Sequence, residues 1–258
     1  MCSSDLAGNR RGHRVRPPLR RPRDRPGRAE ALAALDPEAI PDAVRALLRG
    51  HPAMAPLWRL ATEVLEAREP AAGASRFLEL LHRDDRVPEV AAPLLPEAVL
   101  TISWSSTVIA TCRLRRPRTV LCMVSEPGGE GRRTAEALVE LGARALPDEE
   151  ALAAFPAQAA VLGADAVGPG GLVNKVRTGA LCRTARGRGL PAIALAGETK
   201  LVPVDLPAPE PFERVPLALL DAVVLPEGPV GPEEAARRAR AAPLHPSLAP
   251  LLEELARG

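Results

Sequence analysis

From Ala98 onward, short apolar and β-branched runs alternate with longer stretches of helical period, and that alternation leaves few folds open to the chain. The runs are AVLTIS (98–103), TVLCMV (119–124), a shorter one near ARAL (143–146), AAVLG (159–163), AIALA (192–196) and DAVVL (221–225). Between them lie EGRRTAEALVELG (130–142), closed by Gly142 as a C-cap, then DEEALAAF (148–155) and a helical stretch from Thr178 to Arg188. Strand alternating with helix implies parallel pairing through crossovers, and so an α/β fold with a Rossmann-like, doubly wound sheet. Polar residues fall where the strands end: Ser103, Glu126, Asp165 and Glu198. In open α/β sheets ligands bind outside the carboxyl ends of the strands, where the strand order reverses. The clustering therefore weighs more than any one residue.

Upstream the period is helical throughout. AEALAALD, PDAVRALLRG, MAPLWRLATEVLEAREP and SRFLELLHRDD are each closed by glycine, proline or acidic turns. The expected organisation is an Arg/Pro-rich leader over residues 1–28 that lacks the periodicity to pack, a helical domain over 29–95 and a Rossmann-like domain over 96–258. With 46% apolar residues but only 2% aromatic and no tyrosine, Leu, Val, Ala and Ile must fill the interior. The net charge is only +2 and much of the basic excess sits in the leader, so direct nucleic-acid binding is not expected. Cys2, Cys112, Cys122 and Cys182 lie too far apart for paired metal-ligand spacing; reduced thiols, with neither metal nor other cofactor, are the expectation. No apolar run approaches the roughly 18 residues of a membrane span and the leader lacks the apolar centre of a signal peptide, which together predict a soluble cytoplasmic protein.

The segment LGADAVGPGGLVNK (162–175) carries the most specific polar pattern. Asp165 after a strand can act as acid or base or bind sugar hydroxyls; equally, it can cap a turn. Asn174 and Lys175, just ahead of a helix, can offer an amide and a cation to a phosphate, and the glycines between allow close backbone approach or a loose loop. SWSSTV puts the hydroxyls of Ser103, Ser105 and Ser106 at a strand-to-helix turn, suited to phosphate oxygens or to plain capping. Arg132 stands at a helix start, where a cation is unfavourable unless an anion is near. Arg49 and His51, between two helices, can lend a phosphate contact from the helical half or lie in a solvated loop.

In order, LRGHPAM, LTISWSSTV, VSEPGGEGRR, VLGADAVGPGGLVNKVRT and AGETK resemble the blocks of the translation initiation factor 2B alpha/beta/delta superfamily, which also holds ribose-1,5-bisphosphate and methylthioribose-1-phosphate isomerases. The resemblance spans roughly residues 30 to 230. It implies a helical N-terminal domain, a Rossmann-like C-terminal domain that carries most of a homodimer contact, and a pocket for a phosphorylated sugar or nucleotide between them. In the isomerases an aspartate and a cysteine share the proton transfers while an Asn-Lys pair and an arginine hold the substrate. Asp165 matches the aspartate, Asn174 and Lys175 the pair, and Arg49 the arginine.

The departures from that pattern are informative. The cysteine position is Ser103, whose hydroxyl is far less acidic than a thiol of pKa about 8.5. The arginine of an E-S/T-R-P block is missing beside Glu126, and Arg177 stands where glycine is usual. The sequence thus predicts a sugar-phosphate-binding, metabolite-sensing or regulatory protein with weakened or lost isomerase chemistry. The competing readings are a working aldose–ketose isomerase in which Cys122 or a water replaces the thiol, and an interaction scaffold with a vestigial pocket.

Overall fold

The computed structural model describes residues 25–257; most of the leader lies outside them. Five helices come first: α1 (Arg25–Ala33), α2 (Ile40–Gly50), α3 (Ala55–Glu66), α4 (Pro70–Asp84) and α5 (Val87–Ala91). Proline, abundant at 29 residues, is put to use here: α2, α3, α4 and α5 each carry one in the first turn, where its missing N–H leaves no intrahelical bond unmade. The i, i+4, i+8 spacing of Ile40, Val44 and Leu48 gives α2 a buried stripe. α1 starts at Arg25, inside the stretch read as leader, because Ala29 and Leu32 bury an apolar face among the helices.

Then strands and helices alternate: β1 (Ala98–Ile102), α6 (Ser106–Arg115), β2 (Thr119–Met123), α7 (Glu130–Ala137), β3 (Arg144–Leu146), α8 (Asp148–Ala154), β4 (Ala159–Leu162), β5 (Ala166–Val167), β6 (Leu172–Lys175), α9 (Thr178–Gly187), β7 (Ala192–Leu195), β8 (Phe212–Val215), β9 (Ala222–Leu225), β10 (Gly228–Val230), α10 (Pro232–Arg240) and α11 (Ala249–Arg257). The main sheet runs β10-β9-β7-β4-β1-β2-β3, parallel except for the β10 edge. Helices cover both faces. α5, α6 and α7 pack on one side through Val87, Ile109 and Ala135, and α8, α9 and α10 on the other through Ala151, Leu181 and Ala235. The expected doubly wound sheet is present, and α5 joins its layer rather than the four helices before it.

A second sheet, β5-β6-β8, is antiparallel and escaped the sequence reading, because its strands are two to four residues long and glycines interrupt their pattern. It sits between the two halves. Ala166 and Val173, paired across the hairpin, face the helical core, while the next pair, Val167 and Leu172, faces the core of the main sheet.

Candidate functional site at the strand-order reversal

β1 lies between β4 and β2. The chain leaves β1 toward α6 on one face and leaves β4 toward α9 on the other, so the order reverses between β1 and β4 and a crevice opens at their carboxyl ends. The two loops meet there. A Cβ on Gly163 would sit 2.6 Å from the Ser105 side chain, so only glycine lets the β4 end approach the β1 turn. Ser105 caps α6 by accepting from the Val108 N–H at 3.3 Å, and Ser106 lies exposed in the first turn.

Ser103 adopts φ 64°, in the left-handed region, and its backbone is fixed at both ends. Its N–H donates to Ser125 Oγ at 2.7 Å and its carbonyl accepts from Thr134 Oγ1 at 2.8 Å. Ser125, also left-handed at φ 68°, is held in turn by Asp148, whose two carboxylate oxygens accept from the N–H groups of Ser125 and Glu126 at 2.8 and 3.1 Å. Thus buried Asp148 orients the β2–α7 loop and, through it, Ser103. The Glu126 side chain points outward and pairs with Arg132 at 3.1 Å, both exposed, which supplies the anion expected beside that arginine from within the chain.

Asp165 is half-buried at the joint of three elements. Its N–H donates to the Val173 carbonyl at 2.8 Å, and its own carbonyl accepts from Ala55 N–H at 3.0 Å, satisfying the first turn of α3 and bringing the LRGHPAM loop to the crevice. The glycines that follow pack rather than flex. Gly170 N–H donates to Asp205 at 2.9 Å, and Cβ atoms on Gly168 or Gly170 would stand 2.5 and 2.3 Å from that carboxylate. Close packing around Asp205 already requires glycine at both positions.

Asn174 and Lys175 end β6 and are almost wholly buried. Asn174 Nδ2 donates to Thr178 Oγ1 at 3.1 Å. Lys175 Nζ donates to the Pro127 carbonyl and to Glu130 Oε1 at 2.9 Å, so the β6 hairpin is pinned to the β2–α7 loop. The first turn of α9 is engaged as well, with Gly179 N–H donating to Glu213 Oε1 at 2.7 Å. Arg177, at φ 77°, explains why glycine is usual there, and its guanidinium reaches Asp148 at 3.6 Å and Glu149.

Arg49 and His51 have other partners. Arg49 forms two hydrogen bonds to Glu254 on α11, at 3.1 and 3.0 Å, which hold the Glu254 carboxyl below its usual range. His51 Nε2 lies 3.0 Å from Arg28, and burial followed by that cation lowers its pKa and favours the neutral ring. The helical half instead supplies Asp84, at the end of α4, which reading the sequence missed. It accepts from Glu198 N–H at 2.5 Å, Thr199 N–H at 3.2 Å and Thr199 Oγ1 at 2.5 Å, capping the AGETK turn after β7. Beside that turn lies a cleft of about 940 Å³, whose walls include Trp104, Ser106, Thr107, Arg113, Arg133 and Lys200. Of the residues expected in a site, Ser106 alone lines it.

Cys112, Cys122 and Cys182 are buried, and burial pushes each up to about 12.

A doubly wound α/β protein with a polar crevice at its switch point, capped by a helical half, is the class these features define. The chain belongs to the initiation factor 2 subunit family, whose model matches residues 66–213. Among solved structures it is similar to translation initiation factor eIF-2B of Pyrococcus horikoshii OT3, with TM-score 0.71 and 23% identity over 81% of this chain and 90% of that one. It is also similar to a chain of the tetrameric eIF2B-beta2-delta2 complex of C. thermophilum, with TM-score 0.67 and 18% identity over 83% and 86%. For 5-methylthioribose 1-phosphate isomerase of P. horikoshii the TM-score is 0.59 at 17% identity, covering 85% of this chain and 81% of that one. No curated protein matches the sequence. Among the described residues no helix is long and apolar enough to cross a membrane.

Proposed function

We propose that this protein binds a phosphorylated sugar or nucleotide in the crevice between its helical half and the carboxyl ends of β1 and β4, without isomerase turnover, and serves a sensing or regulatory role as a homodimer. The carrying observation is at Ser103: the position that the resemblance assigns to a catalytic cysteine holds a hydroxyl, and Cys122, the candidate substitute, is sealed in the core with its thiol pushed up to about 12. A thiol that ionises only far above neutral pH cannot shuttle protons at a useful rate. The α6 first turn, with Ser106 exposed, offers a hydroxyl and helix-start amides for a phosphate, and Arg133 and Lys200 line the adjoining cleft beside the carboxylates Asp84, Asp85 and Glu136, while Arg113 is held by Glu140 at 2.9 Å.

The test is a turnover assay with ribose-1,5-bisphosphate. Wild type should give no ribulose-1,5-bisphosphate above background, and Ser103→Cys should gain measurable turnover that Asp165→Asn removes again, since a general acid–base group contributes typically 10²–10⁴-fold. Wild-type turnover at ordinary enzyme rates would refute the reading. Binding is checked by thermal shift against pentose phosphates and nucleoside monophosphates, a saturating ligand at 100 times its Kd adding about 2.7 kcal/mol. Sedimentation should report twice the 27.2 kDa chain mass.

A further inference from the structure

The AGETK turn borders two cavities. Gly197 and Lys200 line the cleft beside Trp104, while Glu198 and Leu201 line a smaller cavity of about 350 Å³. The other walls of the smaller one come from Leu225 at the end of β9, from Ala241 and Ala242 just past α10, and from Arg59 of α3. None of Ser103, Ser105, Asp165, Asn174 and Lys175 borders it.

Arg59 is the notable wall. Its side chain is only 11% exposed and is anchored through Nε, which donates to Glu63 Oε1 at 2.8 Å. Its two terminal nitrogens make no hydrogen bond among the described residues. The one side-chain polar atom there that is both sealed and unpartnered is Glu130 Oε2, so the Arg59 nitrogens open onto space, and the space that Arg59 lines is this cavity. A guanidinium fixed at Nε with its outer edge free presents two parallel N–H groups, the geometry that matches a carboxylate. The surrounding ion pairs do not cancel its charge. Glu63 is shared with Arg76 at 3.0 Å, and Glu234 is shared by Arg237 and Arg238 at 2.6 and 2.8 Å. Glu227 also takes Arg238, at 3.2 Å, and Glu198 takes Arg83, at 3.4 Å. Five guanidiniums thus share four carboxylates, which leaves one positive charge over. The remaining lining is apolar, with Leu201 and Leu225 buried beside the two alanines.

We propose that this cavity is a second ligand site, for a singly charged carboxylate carrying a short apolar tail, with the carboxylate on Arg59 and the tail against Leu201, Leu225 and Ala242. An apolar pocket with one placed polar group is the usual form of a small-molecule site. A phosphate ester, at about −1.5 to −2, outweighs the single surplus charge and would stand near Glu198 and Glu227. The site is independent of the sugar-phosphate reading above.

The probe is isovalerate, titrated calorimetrically into wild type, Arg59→Gln, Arg59→Lys and Ala241→Phe, each first shown folded by its thermal transition. Wild type should bind it saturably. Acetate, which lacks the tail, should bind at least about tenfold more weakly, since each buried methylene is worth about fourfold. Isovaleramide, which lacks the charge, should also bind at least about tenfold more weakly. Arg59→Gln should lose a similar factor, and Arg59→Lys should not restore it, because an ammonium has no fork. Ala241→Phe, a change at an exposed position that fills the cavity, should abolish binding and keeps the idea testable if the Arg59 variants fail to fold. Absence of saturable isovalerate binding to wild type would overturn the proposal, as would affinity unchanged in the folded variants. Inorganic phosphate or isovaleramide binding as tightly as isovalerate would overturn it too.

Discussion

Asp148 shows how much of the crevice depends on one side chain far from its rim. It is 6% exposed and accepts from two successive N–H groups, Ser125 and Glu126, while Arg177 pairs with it from the loop after β6. Asp148→Ala should cost about 2–3 kcal/mol in chemical denaturation, because both donors would be left in a buried site with no acceptor. It should also loosen Ser103, whose N–H depends on Ser125 Oγ. The buried thiols give a second expectation at this scale. Peptide mapping after iodoacetamide treatment of the native protein at pH 8 should leave Cys112, Cys122 and Cys182 unmodified, with all three reacting once the chain is unfolded. Modification of Cys122 in the native state would reopen the case for it as a proton shuttle.

Among the elements, the contacts of α11 and α4 separate surface charge from burial. Arg49 and Glu254 join α2 to α11 with both side chains about half exposed, so Glu254→Ala should leave the melting temperature within error of wild type. Leu251, on the buried side of α11 at 4% exposure, should cost about 2–4 kcal/mol when cut to alanine. The α4 clasp on the AGETK turn carries a pH signature. Burial raises the Asp84 carboxyl above its ordinary range, against the pull of its bonds to Thr199 and Glu198. In the folded state Asp84 therefore keeps a proton that the unfolded chain has already released. Its contribution is fully present below the unfolded value and is lost as pH rises through the folded one. Stability of wild type relative to Asp84→Asn should fall as pH rises from about 4 toward neutrality, and a flat difference across denaturation curves would contradict the assignment.

Legibility in the sequence divides along the same lines. β1, β2, β4, β7 and β9 read as short, mostly buried apolar runs, and α7 to α9 as the helical stretches between them, as the interior of a parallel sheet requires. The little sheet did not, since β5 has two residues and its turn is all glycine and proline. The candidate residues were recognisable by type and order but not by partner. Nothing local to Lys175 announces Glu130, 45 positions upstream, and nothing near Arg49 announces Glu254, 205 positions downstream. Asp84 carried no signal at all, sitting in a solvent-like HRDD stretch whose role exists only once α4 meets the end of β7.

For the whole molecule, two cores of different architecture raise the question of whether the halves come apart separately on heating. The antiparallel ribbon of β5, β6 and β8 argues that they do not. One pair of its cross-strand neighbours, Ala166 and Val173, is interior to the helices, and the adjacent pair, Val167 and Leu172, is interior to the α/β layers. Melting either side strips one face of the ribbon and exposes apolar surface that the other side cannot cover, so partial unfolding gains half the chain entropy at the cost of interfaces on both. The chain should therefore lose its heat-absorbing structure in a single calorimetric peak, with the van't Hoff enthalpy equal to the enthalpy under the curve for the unit that unfolds. Two resolved peaks would show that the ribbon is a hinge rather than a rivet.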